Sequence, residues 1–168
     1  ISLANSAFVE LSGYGREELE GKLSWTSFIA AEDLPKMRQY HAVRRQDPKM
    51  APRNYEFRFI DRNGSVRDIH LTVDLIPGTS QSIASLLDVT ERNRAAREIE
   101  ERRKYLESLF EAAPDAVIAL NAERVIVEWN PGAEKLFGYS KSEVQGKYLD
   151  DVITTPETRE EAYAISGR

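Results

Sequence analysis

The feature that most constrains this chain is an internal repeat. The segment Asn5–Lys22 lines up without a gap on Asn130–Lys147, at a constant offset of 125 residues. Seven of the 18 columns are identical: Asn5/Asn130, Leu11/Leu136, Gly13/Gly138, Tyr14/Tyr139, Glu18/Glu143, Gly21/Gly146 and Lys22/Lys147. Ordinary amino-acid usage gives about one such match by chance. Ile1/Ile126 and Glu32/Glu157 extend the correspondence on both sides. A recurrence of this kind means two copies of one structural unit. Because 168 residues are fewer than two periods, the expectation is one nearly complete copy, a connecting segment and a second, incomplete copy.

The repeated residues have local physical jobs. Asn130 follows the strand-like run Val125–Trp129 and precedes Pro131, the pattern of an N-cap with proline at the first helical position, where no amide donor is lost. Asn5 holds the same place in the first copy. Gly13 and Gly138 fall where that short helix has to stop, in a left-handed C-cap that glycine enters without a Cβ penalty. Ser140 and Glu143 have the spacing of a capping box and start a second short helix ended by Gly146. Gly15 replaces the serine in the first copy, which predicts a weaker helix start there. Asn5, Gly13, Asn130, Gly138 and Ser140 all read as structural caps.

Between the copies the periodicity becomes that of strands. Asn54–Ile60 alternates, with Tyr55, Phe57 and Phe59 on one face and Glu56 and Arg58 on the other. Asn63-Gly64 predicts a hairpin turn into a strand over 66–76, in which Ile69, Leu71, Val73 and Leu75 share a face. A second turn at 77–80 and a third strand at 82–89 complete an antiparallel meander. Ahead of it, 33–45 reads as an amphipathic helix with Leu34, Met37, His41 and Arg44 on one stripe, ended by Asp47-Pro48.

From Thr90 to Ala113 the chain is dense in both charge signs and free of glycine and proline. A heptad frame puts Arg92, Ile99, Leu106 and Ala113 at one core position and Ala95, Arg102 and Leu109 at the other. The two arginines interrupt the seam, so two readings stand: a solvated, salt-bridged helix and a parallel two-stranded coiled coil. The expected division is a first module at 1–90, a helical or coiled-coil linker at 91–113 and a second module at 114–168.

Composition removes several classes of function. The formal charge of -5 leaves no basic surplus for a phosphate backbone. The absence of cysteine rules out disulfides, thiolate metal sites and cysteine nucleophiles. No apolar run is long enough to cross a bilayer. No phosphate loop, metal-spaced cluster, nucleophile elbow or kinase signature is present, and the pairs Glu17-Glu18, Glu100-Glu101 and Glu160-Glu161 sit in charged contexts where solvation accounts for them. The fragment therefore reads as non-catalytic.

The ordered combination of Leu3-Ala-Asn5, Gly13-Tyr14, Glu18 to Lys22, the Asn63-Gly64 hairpin and the closing Asp88-Val89-Thr90-Glu91-Arg92 resembles a PAS sensor domain, and Leu109–Ile118 opens a second copy of the same signature. The resemblance implies an α+β fold, with a five-stranded antiparallel sheet in the order 2-1-5-4-3 and helices on one face. On that frame the first copy lacks its first strand and begins within its second, at Ile1–Ala4. The second has its first two strands, at 116–121 and 124–130, reaches its long helix at Arg168 and lacks its last three strands. The resemblance further implies a cytoplasmic signal-input module ahead of a histidine kinase or diguanylate cyclase output domain, a homodimer through the linker helix, and neither nucleic acid nor membrane as a partner of this segment. Trp25, Phe28, Met37, His41, Phe57, Phe59, Leu71 and Val73 would converge between helices and sheet, either around a small-molecule ligand or simply as core. Asp88, Val89 and Thr90 would relay the signal into the linker. Flavin photoreceptors of this family need a cysteine, so that subclass is excluded. Where haem-binding members carry their axial histidine this chain has Lys49, which leaves His41 as the other candidate, since His70 lies on the polar face with Asp68, Thr72 and Asp74. No cofactor is assigned. The alternatives are a cofactor-free interaction or dimerisation module and, behind it, a haem- or flavin-binding redox sensor.

Overall fold

A computed structural model describes residues 1–154. Glu157 of the repeat, the Glu160-Glu161 pair and the long helix expected towards Arg168 lie outside the described residues. The chain divides into two compact units, Ile1–Arg97 and Glu98–Arg168, with the boundary inside one helix.

The first unit opens with two short helices, α1 (Ser6–Ser12) and α2 (Arg16–Leu19), followed by α3 (Leu34–Gln46). The meander β1 (Asn54–Ile60), β2 (Val66–Leu75) and β3 (Ser82–Asp88) comes next, and α4 (Thr90–Ala112) leaves its last strand. The sheet is antiparallel in the order β1-β2-β3, with Phe57 opposite Ile69 and Leu71 opposite Leu86. Alternation decides what is buried: Phe57, Phe59, Ile69, Leu71 and Val73 point to one side and form a single core with Ala4, Leu19, Phe28, Ile29 and Met37. Phe28 stacks on Phe59 at 5.4 Å, and Phe8 meets both rings edge-on. In the first hairpin Asp61 Oδ1 accepts the Asn63 and Ser65 amides, and Gly64 takes a φ of 80°. Asp33, before α3, accepts both the backbone amide and the guanidinium of Arg58 and so ties that helix to β1.

One sequence expectation fails in this unit. Ile1–Ala4 forms no strand: an isolated extended segment has nothing to pair with, and Ile1 instead bonds to Gly21 and Leu23. The start of α2 is no poorer in backbone bonds for having Gly15. In both copies the glutamate of the box reaches back, Glu18 to the Gly15 amide and Glu143 to the Ser140 amide, each at 2.8 Å. The Ser140 hydroxyl adds a bond to the Glu143 carboxylate at 2.7 Å that Gly15 cannot supply.

The second unit contains β4 (Ile118–Leu120), β5 (Ile126–Trp129), α5 (Pro131–Phe137), α6 (Lys141–Val144) and α7 (Leu149–Ile153). Its two strands are antiparallel and shorter than expected, because residues 121–125 close a tight turn. There Asn121 Oδ1 accepts the Glu123 and Val125 amides, and Arg124 takes a φ of 65°. Ile126, Trp129, Ala133 and Val144 form its core. The repeat is faithful in detail: α1 and α5, and α2 and α6, begin and end at positions 125 apart. Gly13 and Gly138 close α1 and α5 with φ of 71° and 78°, a left-handed conformation that admits glycine cheaply. The described residues thus give an α+β fold with antiparallel pairing, in a three-stranded sheet and a two-stranded sheet.

Candidate functional site

The junction of β3 and α4 concentrates the polar chemistry of the first unit. Asp88 is the last residue of β3 and Thr90 the first of α4. Asp88 Oδ1 accepts the Thr90 amide at 2.9 Å and the Thr90 hydroxyl at 2.5 Å, while its Oδ2 accepts from Arg67 at 3.0 Å. Burial alone would raise the Asp88 carboxyl, but the Thr90 hydrogen bonds and the Arg67 guanidinium outweigh it and hold the group below the ordinary aspartate value. Asp88 therefore takes up an amide of the first turn that has no partner within the helix. Thr90 works in the other direction: its hydroxyl oxygen accepts the Asp68 amide at 3.0 Å. Val89, buried between them, donates its amide to the Asp68 carbonyl and accepts from Asn93 through its own carbonyl. Both backbone groups of Asp68 in β2 are thus bonded to the start of the helix.

A second set of contacts holds the next two turns. Asp68 Oδ2 accepts from Arg97 at 2.6 Å and from Asn93 at 3.4 Å. Glu56 in β1 accepts from Arg92 at 2.6 Å and from Asn93 at 3.0 Å, with His70 Nδ1 3.7 Å away. The Asn93 amide and the Arg92 guanidinium keep the Glu56 carboxyl below its usual value. A cleft of about 400 Å³ beside this junction is lined by Arg67, Asp88, Thr90, Arg92 and Arg94. Sequence reasoning singled out Asp88, Val89 and Thr90 and passed over the residues of this network that lie outside that run, Arg67, Asp68, Glu56 and Arg97. The signal was the row of charges on the outward face of β1 and β2, which reads as a solvated face until a helix of opposite charge is laid across it.

The pocket residues inferred from sequence are brought together: Phe28, Met37, Phe57, Phe59, Leu71 and Val73 are buried in one core, with Trp25 packed at its margin. His41 lies against Trp25 with the ring centroids 5.3 Å apart and the rings tilted by 33°, and its Nε2 accepts from Arg45 at 3.2 Å. Burial, with Arg45 and Arg44 alongside, lowers the His41 pKa. Lys49 lies exposed in a single helical turn capped by Asp47. No group of three or more metal-ligating side chains occurs among the described residues.

In the second unit Asn130 is a hub and not a cap alone. Fully buried, it accepts the Ala133 and Val117 amides at 2.8 Å through Oδ1 and donates to the Phe110, Ala113 and Asp115 carbonyls through Nδ2. A Cβ at Gly132 would meet the Asp115 carbonyl oxygen at 2.2 Å, so glycine is required where α5 starts. On α4, Ile99, Leu106 and Leu109 are 70%, 55% and 51% exposed. In this half of the helix Arg103 bridges Glu100 and Glu107. No helix among the described residues is long and apolar enough to cross a membrane.

Models of the PAS fold match residues 1–89 and 104–166. The chain is 23% identical over 158 residues to "Sensor protein FixL" of Bradyrhizobium diazoefficiens, covering 91% of this chain and 31% of that protein. It is 24% identical over 119 residues to "Sporulation kinase E" of Bacillus subtilis, covering 71% of this chain and 16% of that one. The chain thus spans a third or less of these relatives. A solved sensory box histidine kinase/response regulator from Burkholderia thailandensis superposes with a TM-score of 0.49 at 20% identity, over 62% of this chain and 80% of that one.

Proposed function

The chain belongs to the PAS fold family, and from that membership we propose that it is the signal-input part of a histidine-kinase type signal-transduction protein, with modules at 1–90 and 114–168 joined by a helical linker. In this reading each complete module has the five-stranded order 2-1-5-4-3, and an output domain elsewhere in the protein does the catalysis. A change in the first module, such as a small ligand bound among Trp25, Phe28, Met37, His41, Phe57, Phe59, Leu71 and Val73, shifts the sheet. Asp88, Val89 and Thr90 pass that shift to α4 as a rotation or register change. The observation that carries the reading is the double backbone attachment of Asp68 to the start of α4, which links β2 directly to the helix. The similarity to a sensor protein and to a kinase supports the same class.

A second reading, a cofactor-free dimerisation module, draws on the exposed Ile99, Leu106 and Leu109 of α4 and on the mutual packing of the expected pocket residues. Asp88→Ala in the full-length protein separates the two. On the sensory reading it uncouples stimulus from autophosphorylation and leaves the fold in place, with Thr90→Ala weaker in effect. Unchanged stimulus-dependent autophosphorylation in Asp88→Ala refutes the relay.

A further inference from the structure

One oxygen of Glu56 faces two groups. Its Oε1 accepts from the Arg92 guanidinium at 2.6 Å and lies 3.7 Å from Nδ1 of His70, the residue opposite it across the sheet. Asp68, the other carboxylate that holds α4, stands two residues before His70 on the same side of β2, about 7 Å along the strand. The helix is thus bound, through Arg92 and Arg97, to the two acidic groups that flank a histidine. The remaining charges near His70 are engaged elsewhere: Arg58 of β1 with Asp33 and Glu32, Asp74 of β2 with Arg53, and Arg67 with Asp88. On β3 the residue opposite His70 is Leu87, which carries no charge. Arg92 and Arg97 are 63% and 64% exposed, and exposed ion pairs hold weakly.

We propose that His70 makes the attachment of α4 pH-dependent: on taking up a proton it pairs with Glu56 and Asp68 in place of Arg92 and Arg97, and residues 92–97 leave the sheet while Asp88, Val89 and Thr90 stay bonded to β2. With the helix docked, both carboxylates are paired and two guanidinium groups stand on the same side of the sheet as the imidazole. With the helix away, the imidazole is left between two unpaired carboxylates, which favour its charged form. The proton is therefore held more tightly in the undocked state. By linkage, acidification through the imidazole range, about pH 7.5 to 5.5, shifts the helix towards release. The first turn stays in place because the Thr90 hydroxyl and the Val89 amide bond to the backbone of Asp68, where nothing titrates in that range. The release depends on these contacts alone; its effect on output depends on the sensory reading.

The test is NMR of the chain, whose two histidines are assigned with His41→Gln and His70→Gln. In Arg92→Gln/Arg97→Gln, which removes the competing cations, the His70 titration midpoint should rise by about half a pH unit or more over that of the unmodified chain. Docking is read separately. The chain has no cysteine, so a nitroxide on Ala96→Cys is a unique label, and the broadening it causes at the Glu56, His70 and Thr72 amides should fall by about twofold or more between pH 7.5 and 5.5. With His70→Gln added, the broadening should be the same at both values. Should His70→Gln not fold, the midpoint shift in the arginine variant decides. Equal His70 midpoints with and without the arginines overturn the proposal, as does broadening that ignores pH in the labelled chain or still falls in its His70→Gln form. Release at pH 5.5 with unaltered autophosphorylation in the full-length protein leaves the pH-dependent attachment standing and counts against the relay.

Discussion

Asn5 and Asn130 hold the same place in the repeat and carry unequal weight. Asn5 is exposed and accepts one amide, that of Phe8, at 2.9 Å. Asn130 joins the end of α4, the start of β4 and the first turn of α5 while fully buried. Removing a buried group that satisfies several backbone donors and acceptors leaves each of them unpaired. Asn130→Ala should therefore destabilise the second unit by about 2–4 kcal/mol, and Asn5→Ala the first by about 1 kcal/mol or less. Trp25 and Trp129 lie one in each unit, so urea titration followed by fluorescence in a Trp25→Phe or Trp129→Phe background assigns each loss; equal losses would refute the assignment. His41 makes a pH prediction. Burial and the adjacent Arg45 and Arg44 depress its folded pKa below the ordinary 6.5. The unfolded chain then binds the extra proton first, so the contribution is fully present above about 6.5 and is lost as pH falls through the folded value. The urea midpoint of the first unit should drop between about pH 7.5 and 5.5, and His41→Gln should flatten that slope. Asp33 and Asp88, whose values are also lowered, lose their contributions only at more acid pH.

At the level of elements, legibility followed how local the determining physics is. The caps of α1 and α5 and the alternation of β1 and β2 depend on neighbours within a few residues, and Asn130, Gly138, Phe57 and Ile69 fell where the pattern put them. What escaped depends on contacts far apart in sequence. The pairing of Asp68 with Arg97 joins residues 29 apart, and the carbonyl partners of Asn130 Nδ2 lie up to 20 residues upstream. Neither leaves a local pattern. The expected pocket residues were legible as apolar positions that meet in one core, since alternation and helical stripes reveal burial and say nothing of a ligand. On α4 the residues of the expected seam, Ile99, Leu106 and Leu109, are exposed on a helix with no buried residue. If this is the seam of a parallel dimer, Leu106→Glu places like charges face to face in the core. Sedimentation velocity should then show the variant shifted towards monomer, with its circular dichroism otherwise retained. An unshifted distribution refutes the seam.

For the whole molecule, the open edge of the first sheet bears on association. Among the described residues β3 pairs with β2 on one side and with no strand on the other. Beside that free edge a groove of about 890 Å³ runs between the segment Ile1–Leu11 and residues 82–86. The repeat maps Ile1–Ala4 onto β5, and the strand that pairs with β5 is β4, so the groove lies where a counterpart of β4 would fit. Ile83 and Leu3 stand 64% and 82% exposed at its margins. An open edge with apolar side chains is a template for another strand, and a second copy of the chain carries one of the right kind in β4. Strand exchange of this sort is expected to produce association beyond any dimer formed through α4. Ile83→Lys, a charge on the edge, should suppress it without affecting the helical dimer, whereas Leu106→Glu should do the reverse. Light scattering on the two single variants and the double variant resolves the contributions, with the double variant alone expected to be monomeric at about 100 μM. A stable monomer of the unmodified chain at that concentration refutes both routes, and identical behaviour of Ile83→Lys and the unmodified chain refutes exchange at the β3 edge.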